Sequence, residues 1–354
     1  TDINTIYKRE EISNFNSEFL KKNVESWKNK WDLNFGGDLA QQKFVSPSKY
    51  FFLLNYARIY NDNEVLQHVK KTLDVISSSG LNDFIEGGFY RYTVDNEWKI
   101  PHFEKMLYDQ AQMISLYSLA FKVFKDEHYK NIAIETIDFL NSNMLSKDGL
   151  YFAAMDADTD GEEGKYYSFN REELDIISKN TDLKTFTSYY NIDLDNPWES
   201  DRYLLLPNKN NKEEYWLKLN NLSKDDLNNQ KRIWESNIIE IKKNRIKPRI
   251  DDKIIVSWNS LAITGWVDAF EALNNQDYLN KAINMFEELN ANSFKRNKLI
   301  HTYKENQFQE GVLEDYAYLA KASMRLFQAT GDESYFNFSK KITDDAISIF
   351  KDDE

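Results

Sequence analysis

The chain contains no cysteine, which excludes disulfides, thiolate metal sites and cysteine nucleophiles. Proline and glycine are also scarce, with 5 and 11 copies in 354 residues, whereas an all-β protein needs many turns. No window approaches about 18 consecutive apolar residues, so no transmembrane helix is predicted. The missing cysteines are compatible with a reducing compartment, and we expect a cytoplasmic location.

Positive charge is the other shortage, because 45 Lys and Arg face 58 Asp and Glu and the net charge is −13. This balance argues against nucleic acid, whose affinity comes mostly from cations that neutralise phosphates. It argues equally against binding to an anionic membrane surface. The hydrophobic content of 41% is sufficient for a sizeable core, and the aromatic content of 15% leaves some rings to line a cleft.

One design recurs four times along the chain: an apolar helix ends, a short polar turn follows, and an amphipathic helix begins. Asp62, Asp126, Asp277 and Asp332 stand at or beside these turns, where Asp caps a new helix. The four segments are NYARIYNDNEVLQHVKKTLDVI, AFKVFKDEHYKNIAIETIDFL, AFEALNNQDYLNKAINMFEEL and LFQATGDESYFNFSKKITDDAISIF. We predict long helices over residues 9–30, 47–60, 63–78, 102–124, 127–143, 223–245, 256–274, 277–292, 312–330 and 332–350.

The links between the helical pairs are long and contain Gly turns and short alternating segments, which favour β-hairpins. A solenoid would have short links and a tight period, so a closed ring of helical pairs fits better. Residues 150–222 break the pattern. The sequence thus predicts an all-α protein with one (α/α) toroid domain over 1–354, short β-hairpin links and an insertion at about 150–222.

Three first helices of pairs open with a polar cluster and then become apolar, namely PHFEKMLYDQAQ, IIVSWNSLAITGW and GVLEDYAYLAKA. Acidic first turns often reflect only the helix dipole. Asp109 differs, because it lies about two turns into the predicted helix, where a carboxylate needs a wet cavity or a partner such as Arg91 or Lys105. His102 and Asp109 would then share one helix face. We expect the three clusters to face a common polar mouth.

The segments GGFYRYTVDNEWKIPHFEKMLYDQAQ, YFAAMDADTDGEEGKYYSF, RIKPRIDDKIIVSWNSLAITGW and LEDYAYL, taken together, resemble the YyaL / spermatogenesis-associated protein 20 family of thioredoxin-domain-containing proteins. The resemblance covers nearly the whole chain. It implies an (α/α)6 toroid of the six-hairpin glycosidase type, related to N-acylglucosamine 2-epimerases. The family's thioredoxin-like domain is absent, and the chain ends after ten predicted helices. A fragment, an open ring and a ring completed by another chain stay open.

Two kinds of sugar chemistry fit the candidate residues. Glycoside hydrolysis needs two carboxylates, and Asp109 or Glu104 could act with Glu314 or Asp315. Epimerisation needs a base and an acid on opposite faces of the sugar, often histidines. His102 and His301 fall at loop-bearing ends and are the candidates.

Further residues are candidates for binding a sugar-like small molecule by stacking or hydrogen bonding. They are Arg91, Tyr92, Trp98, Tyr108, Asp156, Asp158, Asp252, Lys253, Trp258, Asn259, Tyr316 and His301. DADTDGEEGKYY also places acids at positions one, three and five of an EF-hand-like loop, but position twelve is Tyr167. We expect these acids to orient the mouth, with calcium binding as the alternative, and we assign no cofactor and no metal ligand.

Two function classes follow from these residues. The first is a glycoside hydrolase or sugar epimerase that acts in the toroid cavity. The second is a non-catalytic binding or scaffold module, normally tethered to a thioredoxin-like domain, because one fold hosts many chemistries.

Overall fold

Helices dominate the computed structural model, which describes residues 16–207, 211–304 and 307–352. The start of the predicted helix 9–30 lies outside these residues. Among the described helices, none combines the length and the apolar character that crossing a bilayer requires. The helices are α1 Ser17–Lys28, α2 Pro47–Tyr60, α3 Asn63–Ser77, α4 Leu107–Phe124, α5 Glu127–Phe139 with a π-helical turn Leu140–Met144, α6 Arg171–Ile177, α7 Leu183–Tyr189, α8 Asn211–Asn220, α9 Lys224–Lys243, α10 Val256–Leu273, α11 Gln276–Asn292, α12 Leu313–Thr330 and α13 Glu333–Phe350.

Four helical pairs, α2/α3, α4/α5, α10/α11 and α12/α13, are joined by tight turns. In each turn the first helix ends at a residue with positive φ, and the next residue caps the second helix through its side chain. Asp62, Asp126 and Asp332 act as these caps. Asn275, not Asp277, caps α11. Asp277 already lies in the first turn of the helix, and the Asn275 side chain accepts its N–H.

The first helices of the four pairs line up in the order α2, α4, α10 and α12, and each packs against the next. The second helices, α3, α5, α11 and α13, each pack against the first helix of their own pair. Helices α4 and α10 are apolar on most sides because they have neighbours on most sides. This is the alternating inner and outer arrangement that the sequence predicts for a toroid of helical pairs.

Short strands form a belt where the inner helices begin. The strands are β1 Lys43–Phe44, β2 Tyr92–Thr93, β3 Pro101–His102, β4 Lys105–Met106, β5 Ala154–Met155, β6 Asp158–Thr159, β7 Glu162–Glu163, β8 Phe169–Asn170, β9 Arg202–Tyr203, β10 Ile250–Asp251, β11 Ile254–Ile255, β12 Phe294–Lys295, β13 Lys298–Lys304 and β14 Gln307–Glu310. Their antiparallel sheets are β1-β2-β3, β4-β5-β10, β11-β13 with β12 and β14, β6-β7 and β8-β9. Strands β4 and β11 lead directly into α4 and α10, so pairing within the belt fixes where these helices start.

A buried lysine fastens the link before α4. Lys105 Nζ lies 2.7 Å from Asp83 Oδ2 and donates to the carbonyl of Gly87 at 2.8 Å. Asp83 Oδ1 accepts the N–H groups of Ile85 and Glu86, so every oxygen of this buried carboxylate has a donor. Lysine and aspartate are thereby compensated inside the core, as buried charges must be.

The link before α2 has the same fastener, which the sequence analysis did not detect. Lys43 Nζ lies 2.6 Å from Asp32 Oδ2 and donates to the carbonyl of Gly36 at 2.7 Å. Asp32 Oδ1 accepts the N–H groups of Asn34 and Phe35. We name the two constructions the lysine fasteners: Asp32, Gly36 and Lys43 form one, and Asp83, Gly87 and Lys105 form the other.

Buried residues between 169 and 238 form a separate hydrophobic core, against which Phe84 and Ile85 of the link before α4 also pack. Trp234 on α9 lies fully buried in this core, against Phe186 and Tyr189. Helix α9 was predicted as an ordinary long helix beyond the insertion, but its apolar face packs here and not into the ring. This core thus extends past residue 222, the predicted boundary of the insertion.

Candidate active site

The start of α4 carries the first part of a polar mouth. Arg91 Nη1 donates to Glu104 Oε2 at 2.9 Å, and Arg91 Nε donates to the hydroxyl of Tyr108 at 3.1 Å. The Tyr108 ring meets the Trp258 ring of α10 edge to face, with the centroids 4.8 Å apart. Both rings are only partly buried. This contact joins the polar start of α4 to that of α10.

The starts of α10 and α12 are joined by hydrogen bonds. The Ser257 hydroxyl donates to Glu314 Oε1 at 3.1 Å, and the Ser257 N–H donates to Asp315 Oδ1 at 3.0 Å. Asp315 is fully buried and also accepts the N–H of Val312. Its Oδ2 lies 2.9 Å from His301 Nδ1, and His301 retains 24% of its side-chain exposure. A buried carboxylate thus orients a partly exposed imidazole and leaves Nε2 for other chemistry.

A second histidine has the same kind of partner. His102 Nδ1 lies 2.6 Å from Glu163 Oε1, and its Nε2 lies 3.7 Å from Glu104 Oε2. His102 lies on strand β3 and not on α4, which begins only at Leu107. The predicted helix 102–124 is present but begins five residues later, and the shared helix face of His102 and Asp109 is wrong, because pairing with β2 and β5 holds residues 101–106 extended.

Asp109 lies in the first turn of α4, and its Oδ2 is buried without a hydrogen-bond partner in the described residues. Burial raises the pKa of Asp109 to about 8, against the opposing attraction of Arg91, and the nearby Glu104 adds to the rise. Lys105 is not its partner, because Lys105 belongs to a lysine fastener. A carboxyl with this pKa holds its proton at neutral pH and can serve as an acid.

These contacts, together with the peptide bond between Ser257 and Trp258, form a path across three inner helices. Starting from β7 and ending on β13, it runs through Glu163, His102, Glu104, Arg91, Tyr108, Trp258, Ser257, Glu314, Asp315 and His301. We name this set the mouth cluster. Glu163 and Ser257 were not among the sequence candidates, because their roles depend on partners 57 to 61 positions away.

Below the mouth cluster, the four inner helices enclose a cavity of about 390 Å³. Gln112, Ser115, Thr264 and Tyr318 contribute polar groups to its wall. An ion network lies nearer the opposite ends of these helices, where Arg325 Nη2 donates to Asp268 Oδ1 at 2.7 Å and to Glu271 Oε1 at 2.8 Å. Burial raises the pKa of Asp268. The network also includes Lys122, 3.1 Å from Glu271 Oε2.

Three predicted binding residues are buried and serve the scaffold. Trp98 has no exposed surface, and its indole N–H donates to the carbonyl of Phe35. Asn259 is also fully buried and bonds both the N–H and the carbonyl of Tyr151, which holds the segment before β5 against α10. Tyr316 is 4% exposed and packs in the core. The structure does not bring these three into the mouth cluster.

The remaining predicted binding residues lie on exposed links. Asp156, Asp158, Asp252 and Lys253 are exposed, and none belongs to the mouth cluster. Lys253 pairs with Asp251 at 2.8 Å. Tyr92 is half-buried beside His102, with ring centroids 5.0 Å apart.

The EF-hand-like spacing does not form a calcium loop. Asp158 and Thr159 pair with Glu163 and Glu162 across a two-residue turn, so the strands β6 and β7 form a tight hairpin. Among the described residues, the group with metal-ligand spacing is instead His301, Glu314 and Asp315. Asp315 already accepts three hydrogen bonds there, so its lone pairs are largely committed to protein donors. We assign no metal to this group.

Comparison with solved structures defines the fold class. An α-mannanase of glycoside hydrolase family 76 from Bacteroides thetaiotaomicron superposes with a TM-score of 0.54 at 12% identity, over 92% of this chain and 66% of that chain. A family 76 glycoside hydrolase from a bovine strain of the same species gives a TM-score of 0.51 at 11% identity, over 92% and 54%. The chain therefore has the (α/α) toroid fold of six-hairpin glycosidases.

Sequence relatives then confirm the predicted resemblance. Human spermatogenesis-associated protein 20 is 25% identical over 368 residues, which cover 92% of this chain and 46% of the relative. An uncharacterised protein of Caenorhabditis elegans is 28% identical, over 90% and 49%. No family model matches the chain. The chain is homologous to spermatogenesis-associated protein 20 and spans about half the length of the curated relatives it matches.

Proposed function

We propose that the chain binds a sugar at the mouth cluster and catalyses proton transfer at a sugar carbon, as an epimerase does. One observation carries the proposal: His102 and His301 are each hydrogen-bonded through Nδ1 to a carboxylate. Such a carboxylate fixes the tautomer and stabilises the imidazolium that forms when Nε2 takes a proton. An epimerase of this kind uses one histidine to remove the proton and the other to return one on the opposite face, which requires both Nε2 atoms to reach the same sugar carbon.

The surroundings of the histidines suit a sugar. Tyr108 and Trp258 offer apolar ring surface with polar edges, which is how proteins commonly contact sugar rings. Arg91 and Glu314 provide a donor and an acceptor beside the rings.

A glycoside hydrolase is the second candidate, and Asp109 favours it. A general acid must keep its proton at neutral pH, and the burial that raises the pKa of Asp109 to about 8 has this effect. Glu104 or Glu314 would supply the second carboxylate. Glu104 is bonded to Arg91, whereas Glu314 is exposed and bonded only to Ser257 among the described residues, so Glu314 is the freer base.

The test is incubation of the chain with a panel of mono- and oligosaccharides in D₂O, followed by NMR. An epimerase would give the epimer with deuterium at the inverted carbon, and a hydrolase would give new reducing ends. For the epimerase, His102→Asn and His301→Asn should each lower the rate by roughly 10²–10⁴-fold. His128→Asn is the control. His128 lies on α5, its Nε2 hydrogen-bonds the Ser77 hydroxyl of α3, and it does not belong to the mouth cluster.

Several outcomes would contradict the proposal. If both histidine variants keep the parent rate, the histidines are not the acid and base. New reducing ends that disappear with Asp109→Asn would instead support the hydrolase. Sugar binding without any turnover would support the non-catalytic binding module.

A further inference from the structure

Three aromatic rings form a ladder across the sheet β1-β2-β3. Phe44, Tyr92 and His102 stand opposite one another on the three strands. Phe44 stacks on Tyr92 with centroids 4.7 Å apart and planes at 21°, and Tyr92 stacks on His102 at 5.0 Å and 25°. The last ring of this aromatic ladder is therefore a member of the mouth cluster.

The ladder lies on the outer face of the sheet. The alternate residues Lys43, Thr93 and Pro101 are buried and turn toward the core. In an antiparallel sheet with one buried face, the other face usually carries polar side chains. Phe44 is nevertheless 55% exposed, and among the described residues no ring stacks on its second face. Because faces inside the ladder cover one another, its two end faces, one on Phe44 and one on His102, are the faces that no ladder ring covers.

We propose that Phe44 is a sugar-stacking position outside the mouth and that the ligand is an oligosaccharide reaching from His102 to Phe44. This inference rests on the proposed function. Aromatic faces attract the apolar C–H surface of a sugar ring. Two strand spacings place Phe44 roughly 10 Å from His102, which one sugar ring does not span. A monosaccharide bound at the mouth cluster therefore leaves Phe44 uncovered, and a longer chain covers it.

The Phe44 ring is supported on one face and follows an anchored residue, which favours stacking on it. Lys43, its neighbour on β1, is anchored by the ion pair with Asp32 at 2.6 Å and by the carbonyl of Gly36. Tyr92 supports the ring from the inner side. A preorganised ring loses little conformational freedom when a ligand binds, so more of the contact energy appears as affinity.

The experiment compares Kd and KM for a series of saccharides of increasing length. Phe44→Ala should weaken binding of the longer saccharides roughly tenfold, as expected for loss of about one stacking contact, and leave monosaccharides unchanged. Phe44→Trp should keep the preference for length, because it retains an aromatic face. Phe336→Ala on α13 is the matched control, since Phe336 is 43% exposed and lies outside the ladder.

The possible failures are distinguishable. If the parent chain binds or converts saccharides and Phe44→Ala weakens all lengths equally or none, this inference is overturned while the proposed function stands. If the parent chain binds no saccharide of any length, both are overturned. Circular dichroism and a urea midpoint close to those of the parent chain show that Phe44→Ala folds. Phe44→Trp is the second test, because it should keep the preference for longer saccharides.

Discussion

Replacing Asp109 by asparagine should stabilise the protein in a pH-dependent manner. The ordinary pKa of the carboxyl is 3.8, and burial raises it to about 8 in the folded protein. Between these values the folded state holds a proton that the unfolded state has released, so the free energy of unfolding falls as the pH rises from about 4 to about 8. Asparagine has nearly the same shape and no proton to lose.

The size of the effect follows from the difference between the two pKa values. At 1.36 kcal/mol for each factor of ten in proton affinity, the full difference gives an upper limit of roughly 5–6 kcal/mol. The side chain of Asp109 is partly accessible although Oδ2 is buried, so solvent reduces this penalty. We expect Asp109→Asn to gain about 2–4 kcal/mol over the parent chain at pH 8, relative to the difference at pH 4.

Urea denaturation of both chains at several pH values between 4 and 8 measures this directly. Gln112→Asn, one turn further along α4, is the control, because it changes no titratable group and its difference from the parent should stay constant. If the difference in free energy of unfolding between Asp109→Asn and the parent does not change with pH, the inference that the Asp109 carboxyl is desolvated and protonated is refuted. A gain in stability with a loss of activity would mark Asp109 as a functional residue.

Three further predictions concern the scaffold and the site. Lys105→Met should lower the free energy of unfolding, measured by urea denaturation, by about 3–5 kcal/mol, because it leaves a buried carboxylate unpaired. Lys298→Met, which removes an exposed ion pair, should lower it by less than about 1 kcal/mol. Gly88→Ala should lower the melting temperature more than Gly331→Ala does. Both glycines have positive φ, but at Gly88 the added Cβ would lie 2.7 Å from the buried ring of Phe139, whereas at Gly331 the space is open. Asp315→Asn should lower turnover at least about 10²-fold without changing the product, because the histidine loses its orienting carboxylate.

The helical pairs could be predicted from the sequence because their signals are local. Apolar spacing and the capping side chains of Asp62, Asp126 and Asp332 lie within a few residues of the turns that they define. The start of α4 was placed too early for the opposite reason. Residues 101–106 are extended because β3 and β4 pair with β2 and β5, and such pairing depends on residues far along the chain.

The candidate site shows the same division between local and long-range information. The sequence indicated that helix starts carry polar clusters; Tyr108 and Trp258 lie at the starts of α4 and α10, whereas His102 and Glu104 lie on the extended segment before α4. The sequence did not indicate that Glu163 would orient His102, because a carboxylate 61 positions away has no local signal. Burial of Trp98, Asn259 and Tyr316 likewise depends on the final packing. The residue types alone do not indicate this burial, because the same side chains can also line a binding site.

The two lysine fasteners differ in how much chain they enclose. In the first fastener, residues 38–42 separate Gly37 from Lys43, and in the second, residues 89–104 separate Gly88 from Lys105. The contacts of the two fasteners are nevertheless the same. The second excursion includes Arg91, Tyr92, His102 and Glu104. A closed anchor at its base allows such a segment to change in length or composition while the helix behind it keeps its place. Variation of ligand preference during evolution could therefore proceed in this excursion without disturbing the ring.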